Sequence, residues 1–305
     1  MSYVFMFSGQ GSQKVGMGKD FYDTFDTAKK MFEEANEVVG RDLKTIMFEG
    51  PEEELKATQN TQPALFVMEA VIAEILAEKG ITASLTLGHS VGEYSANFAA
   101  GVYSFDDGLR LVAKRGELMA RAGDSAPGAM AAIIGLSKDE IARVLSEVED
   151  GVVVPANENS PEQTVISGDV TAVDTACELL TKAGAKRAIK LPVSGAFHSP
   201  LMQPAAEEFE AFIHAVPFHN ARCPVVCNVT AAPEDNGEAL KNLLVKQLLS
   251  PVRWVESMTY VKESPINTYI EVGPGAVLKG LARKCDREIN VVSCGTVDNL
   301  YFLTQ

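Results

Sequence analysis

No stretch of this sequence approaches the ~20 consecutive apolar residues that a membrane-spanning helix needs, and its opening does not join a basic segment to an apolar one of signal-peptide length. Membrane insertion and secretion are therefore not expected. Cysteine is scarce. Cys177, Cys223, Cys227, Cys285 and Cys294 are odd in number and include no C-x-x-C pair, which disfavours a disulfide framework or paired metal ligands and favours reduced thiols in a cytoplasmic protein. Positive charge is also short: 27 Lys and Arg stand against 41 Asp and Glu, a net charge of −14. That balance excludes a general affinity for nucleic acid or an anionic membrane surface, and an acidic partner would need a local basic patch. Repeats and low-complexity tracts are missing too. What remains is a 305-residue chain, 46% hydrophobic and 22% charged, of ordinary globular composition. At that length about three quarters of the unfolded surface can be buried.

The apolar pattern reads as α/β. Residues 4–7 form a first strand. A helix over 20–40 is expected next, with Asp20 as its cap, Phe21, Phe25, Ala28, Met31, Phe32, Ala35 and Val38 at helical spacing, and Gly40 as its stop. A second helix over 63–79 has Leu65, Met68, Ile72 and Ile75 inward, and a strand follows over 84–87. From 123 the rhythm changes. Strands over 129–134, 152–157, 164–167 and 185–191 alternate with helices over 137–147 and 170–183, a β-α-β-β-α-β order that suggests a ferredoxin-like unit. A helix over 204–215 and strands over 225–229 and 268–272 then resume the first pattern. The expected architecture is a large α/β domain with a mainly parallel sheet, residues 1–122 and 194–305, carrying a small ferredoxin-like insert, residues 123–193.

Several residues fit a purely structural role poorly. Gly88-His89-Ser90-Val91-Gly92 lies between the strand over 84–87 and a helix ending at Gly101, the sequence form of a nucleophile elbow. Such a turn pushes a serine hydroxyl outward and aims backbone N–H groups at the same point; alone, the pattern also fits a glycine-rich turn. Arg115, in a helix over 106–121, has Leu111, Val112, Leu118 and Met119 as neighbours on an apolar face. It either makes a fixed internal salt bridge or offers a fork to a substrate carboxylate. Gln247 continues the stripe of Leu240, Leu243 and Leu244 with an amide, which must find partners at the helix end or elsewhere. His198 lies in the loop over 193–200, between a strand and a helix, where α/β proteins place their chemistry. His89, His214 and His219 sit in the elbow, at a surface helix end and in a polar turn. The loop from Ser8 to Gln13 lacks the third glycine of a dinucleotide fingerprint, Lys14 standing in its place, and lacks the lysine of a phosphate loop. The N–H of Gln10, between two glycines, suits a second oxyanion donor beside that of Val91.

Together these segments, with residues 58–63, 157–168, 196–199 and 271–275, resemble the malonyl-CoA:acyl-carrier-protein transacylases of type II fatty acid synthesis, and more broadly the acyltransferase domains of fatty acid and polyketide synthases. The resemblance spans nearly the whole chain and implies an α/β-hydrolase-like large domain. It implies Ser90 as the nucleophile that carries malonate as an ester, His198 as general base and then acid, and Gln247 as the group orienting His198 through a main-chain or side-chain carbonyl. Arg115 would take the malonyl carboxylate, Gln10 and Val91 the oxyanion, and Phe197 would accompany malonyl selectivity. Substrate and partner would be malonyl-CoA and acyl carrier protein, in a cytoplasmic monomer with no metal and no bound cofactor. Lys186, Arg187 and Lys190, or Arg283, Lys284 and Arg287, would meet the acidic carrier. A serine hydrolase such as a thioesterase shares the elbow and the base, but its usual acidic third member is not required here. A noncatalytic carrier-binding scaffold would be expected to have lost Ser90, Arg115 or His198, and all three are present.

Overall fold

The computed structural model describes residues 2–193 and 195–304; the expected domain boundary at Ser194 lies outside the described residues. In chain order the strands are β1 (Tyr3–Phe7), β2 (Ala83–Gly88), β3 (Gly128–Ile134), β4 (Val153–Ser160), β5 (Gln163–Asp169), β6 (Arg187–Lys190), β7 (Val225–Val226), β8 (Pro233–Glu234), β9 (Tyr269–Val272) and β10 (Val291–Cys294). Six of them form one sheet in the order β10-β9-β1-β2-β7-β8, parallel except for the β7–β8 pair. β1 lies at its centre, so Val4, Phe5, Met6 and Phe7 are all buried and read as a continuous apolar run rather than an alternating one. Phe5 and Phe7 enter the core on one face, Val4 and Met6 the core on the other.

The second sheet, β4-β5-β3-β6, is antiparallel throughout, and with two helices between its strands it has the expected β-α-β-β-α-β order. Its two faces differ. Ala131 and Ile133 of β3 pack with the helices Lys138–Leu145 and Val170–Lys182, whereas Met130 and Ala132 face Met119, Phe197 and Met202. This two-residue alternation lets one short strand serve two cores. β4 also reaches the larger unit through its backbone: Glu158 N–H donates to the Val252 carbonyl at 2.9 Å and Val252 N–H to that of Ala156 at 2.8 Å.

Three sequence expectations need correction. The helix over 20–40 is interrupted. Lys19–Thr24 and Asp26–Val39 meet at Phe25, whose backbone is extended and whose ring stacks on Phe21 at 6.2 Å. Asp20 sits inside the first of these helices and spends its Oδ2 on the N–H of Val297, so it caps a different helix, Val297–Thr304. The helix expected from Pro63 begins at Thr58, with the proline inside it. Proline there removes the donor that would have met the Gln59 carbonyl, and the Arg41 guanidinium takes that oxygen instead. Residues 61–73 of this helix are buried on every side, not along one stripe, because it lies between the sheet and several other helices, chiefly Phe105–Ser125, Gly92–Ala99 and Asp26–Val39. All five cysteines are free, and no helix among the described residues is long and apolar enough to cross a membrane.

Candidate active site

β2 ends at Gly88 and the helix Gly92–Ala99 begins four residues later, so the chain reverses around Ser90. Ser90 holds φ at +53°, a left-handed value that costs a non-glycine residue on the order of 1–3 kcal/mol. Only glycine fits beside it. A Cβ on Gly88 would lie 2.0 Å from the Gly92 carbonyl carbon, and one on Gly92 would lie 2.2 Å from the Phe7 oxygen. The strain is held by Asn228, just beyond β7: its Oδ1 accepts the Ser90 N–H at 2.8 Å and its Nδ2 donates to the Gly88 carbonyl at 2.6 Å. His89 is fixed as well, with Nε2 at 2.7 Å from Asn159 Oδ1 of β4 and its ring 5.4 Å from that of Trp254.

Ser90 Oγ lies 2.8 Å from His198 Nε2, and His198 Nδ1 lies 2.9 Å from the main-chain oxygen of Gln247. A carbonyl only accepts, so Nδ1 carries the proton and Nε2 is left to receive one from the serine. His198, like Ser90, has a left-handed backbone, φ +58°. Burial, with the charge of Arg115 as the second cause, pushes the imidazole pKa down to about 3, so the ring stays neutral across the physiological range.

Arg115 is fully buried on the helix Phe105–Ser125. Its Nη1 donates to Gln62 Oε1 at 2.8 Å, and its Nη2 to Gln247 Oε1 at 2.9 Å and to Ser90 Oγ at 3.2 Å. Its guanidinium carbon stands 5.4 Å from the Tyr94 ring centroid. Of the two alternatives the sequence left open, the internal salt bridge is not formed, since among the described residues these hydrogen-bond acceptors are amide and hydroxyl oxygens and not carboxylates. Neutral acceptors hold the fork in place without neutralising it. That leaves a buried positive charge beside the serine, which suits an anionic substrate group.

The Gln247 side chain is equally committed. Its Nε2 donates to Glu93 Oε2 at 2.6 Å and to the Ser90 carbonyl at 3.0 Å, and Glu93 Oε2 also accepts the Asn228 N–H at 3.1 Å. Burial pushes the Glu93 carboxyl up to about 7. Sequence reasoning passed over Gln62, Glu93 and Asn228. The available signals were modest: an acid inside the apolar helix after the elbow, and polar side chains closing the run of β7 and preceding Pro63.

A cavity of about 100 Å³ opens on Ser90. Gln10 and Val91 border it beside the serine, and Met130, Leu191, Val193 and Phe197 border it from the smaller sheet and the loop after it. Gln10 also fixes its side chain through Nε2 to Thr58 Oγ1 at 3.2 Å. All seven residues expected to carry the chemistry therefore converge on one place. His214 and His219 lie elsewhere, and among the described residues no cluster of His, Cys, Asp or Glu is arranged to hold a metal ion.

The family described as "Acyl transferase domain" matches residues 4–299. A curated relative from Bacillus subtilis (strain 168), named malonyl CoA-acyl carrier protein transacylase, is 43% identical over 304 residues, covering 99% of this chain and 96% of its own. Among solved structures, the malonyl CoA-acyl carrier protein transacylase of Coxiella burnetii superposes with a TM-score of 0.96 at 37% identity, covering 100% of this chain and 97% of that one. A malonyl-transacylase in complex with a type II polyketide synthase acyl-carrier protein superposes with a TM-score of 0.95 at 40% identity, covering 99% and 98%.

Proposed function

The chain belongs to the acyl transferase domain family, and from that membership we propose how its residues move a malonyl group from malonyl-CoA to the phosphopantetheine thiol of acyl carrier protein. The enzyme is an acyltransferase working through a serine ester. Ser90 Oγ attacks the thioester carbonyl carbon while His198 Nε2 takes its proton. The oxyanion that forms faces the N–H groups of Gln10 and Val91; losing one such donor typically costs about 10²–10³-fold in rate. The tetrahedral intermediate then expels the CoA sulfur, which leaves with the proton from His198. The carrier thiol repeats the sequence in reverse, giving up its proton to His198 and releasing Ser90. Arg115 pairs with the free carboxylate throughout.

The observation that carries this reading is the Ser90–His198–Gln247 main-chain relay with an Arg115 fork held by neutral amides beside it. A main-chain carbonyl where a hydrolase has a carboxylate gives the imidazole little extra basicity, and a thioester needs little. Residues 123–193 act as an insert whose inner face closes the site. The protein works as a cytoplasmic monomer and needs neither metal nor bound cofactor.

For the carrier, one of the two expected basic clusters, Arg283, Lys284 and Arg287, lines a groove, and Lys186 and Arg187 of the other adjoin residues of its opposite wall. Its walls include Ile134, Glu162 and Gln163 on one side and Arg283, Lys284 and Arg287 on the other, and Arg187 pairs with Ile134 across β3 and β6. Lys186 reaches Glu162 at 3.3 Å, and Lys190 is paired with Asp174. Reversing charge in both clusters should leave acylation by malonyl-CoA intact and slow transfer to the carrier at least tenfold; an unchanged transfer rate removes the groove from the mechanism. The core reading is tested by intact mass after mixing with malonyl-CoA. Native chain should gain one malonyl group, Ser90→Ala should gain none, and Arg115→Ala should gain it far more slowly. An adduct of equal yield on Ser90→Ala overturns it.

A further inference from the structure

Beneath the elbow, Gln247 faces two ways. Its main-chain oxygen serves His198 and its side-chain Oε1 serves Arg115, so one residue ties the base to the anion fork. The side chain must have its amide the right way round for this. Turned over, Gln247 would present an N–H₂ to Arg115, and a donor facing a donor would push the guanidinium off its position. On the opposite side the amide meets the Ser90 carbonyl at 3.0 Å and Glu93 Oε2 at 2.6 Å, with Asn228 Oδ1 farther off at 3.4 Å. The shortest of these belongs to Glu93, and its partner, like Glu93 itself, is completely buried. The Glu93 side chain does not line the cavity and meets Ser90 only through its backbone, whose N–H donates to the Ser90 carbonyl at 3.0 Å; its second oxygen, Oε1, makes no hydrogen bond among the described residues, the Cys227 thiol being the other polar group beside the carboxyl. A buried carboxyl kept with one oxygen unpaired is costly unless the other is needed.

We propose that Glu93 is a positioning residue for acyl-group selection: by accepting from Gln247 Nε2 it fixes the amide so that Oε1 holds Arg115 in place to meet a carboxylate. The role requires an acceptor at Oε2 and no particular charge. This rests on the reading of Ser90 and Arg115 above, and predicts that Glu93 matters more for a malonyl donor than for an acetyl donor, which has no carboxylate for Arg115 to hold.

The test measures acylation of the full chain by malonyl-CoA and by acetyl-CoA, taken as a ratio of rates from intact mass. Glu93→Met, which keeps length and removes the acceptor, should lower the malonyl-to-acetyl ratio at least tenfold. Glu93→Gln, which can place its carbonyl where Oε2 stands, should stay within about threefold of native. In an Arg115→Ala background, Glu93→Met should change the ratio no further, because the residue acts through the arginine. Should Glu93→Met fail to fold, Gln247→Met decides, since it keeps the main-chain oxygen for His198 and removes the side-chain amide, Oε1 with it; it should lose the ratio likewise. A native ratio in Glu93→Met or in Gln247→Met, or an equal loss with both donors, overturns the proposal. Failure of the underlying reading looks different: the native chain would show no malonyl adduct, or a ratio insensitive to Arg115→Ala.

Discussion

The two walls of the cavity are built on opposite principles. On the side of the large sheet, Ser90, Arg115, Glu93, Asn228 and Gln247 form one hydrogen-bonded network, in which a left-handed serine and a buried guanidinium are held by side chains from the segment after β7 and from helices. On the side of the small sheet, Met130, Leu191, Val193 and Phe197 offer apolar surface, with Asn157 of β4 as the polar exception. A polar network fixes orientation, because each donor has a required direction and leaving one unmade costs about 1–3 kcal/mol. Apolar packing fixes volume and tolerates substitution of similar size. Chemistry should thus fail steeply when the first wall is altered, and selectivity should drift when the second is.

The steepest test is Asn228→Ala, at a residue that touches no substrate. It removes both bonds that hold the elbow, so the serine relaxes from its left-handed turn and leaves His198. Acylation by malonyl-CoA should fall roughly 10²-fold, since misplacement of about 1 Å has that effect. Emission from Trp254, whose ring lies 5.4 Å from that of His89 in the elbow, should shift with it. Native rates in this variant would mean that the glycines alone secure the turn.

The pH dependence is a subtler probe of the same wall. Burial first and Arg115 second keep His198 neutral down to about 3, so the base remains competent well below 6.5 and the acid limb of acylation should lie far under the ordinary histidine value. With acetyl-CoA as donor, Arg115→Ala should move that limb upward, though short of 6.5 because burial persists. The stability term has the matching sign. A histidine held neutral in the folded state contributes fully above 6.5 and loses its contribution as pH falls toward about 3. A limb at 6.5 in the native enzyme would show that the imidazole is open to solvent during turnover.

The contrast also explains what the sequence could reveal. Most strands and the insert were legible because their signals are local: the continuous apolar runs of β1 and β3, and a helix start at Ser137, whose side chain does form a capping box with Glu140. Ser90, Arg115, His198 and Gln247 stood out because each breaks its own surroundings. Glu93, Asn228 and Gln62 did not, since their partners lie far along the chain; Glu93 and Gln247 are 154 positions apart. Nor could residue type say that Gln247 serves His198 through its backbone, because every residue has that carbonyl. Pro63 misled for a related reason. A proline favours the first turn of a helix, and only the distant Arg41 guanidinium makes a start at Thr58 workable.

The smallest effect should come from the apolar wall. Met130 is buried on β3 and faces the cavity, so Met130→Val removes thioether volume without disturbing any hydrogen bond of the opposite wall. A change of about one methylene in a pocket is worth ~1–3 kcal/mol, or about 10–200-fold in discrimination. Relaxation of neighbouring side chains should keep the result near the lower end. The methylmalonyl-to-malonyl ratio should rise about tenfold while the malonyl rate itself changes little, because Ser90, His198 and Arg115 keep their geometry. Phe197→Val should act in the same direction, its ring lying in the same apolar cluster as Met130. If both variants leave the ratio unchanged yet slow malonyl transfer severely, the small sheet shapes the reacting groups as well as the space around them, and the division between the two walls fails.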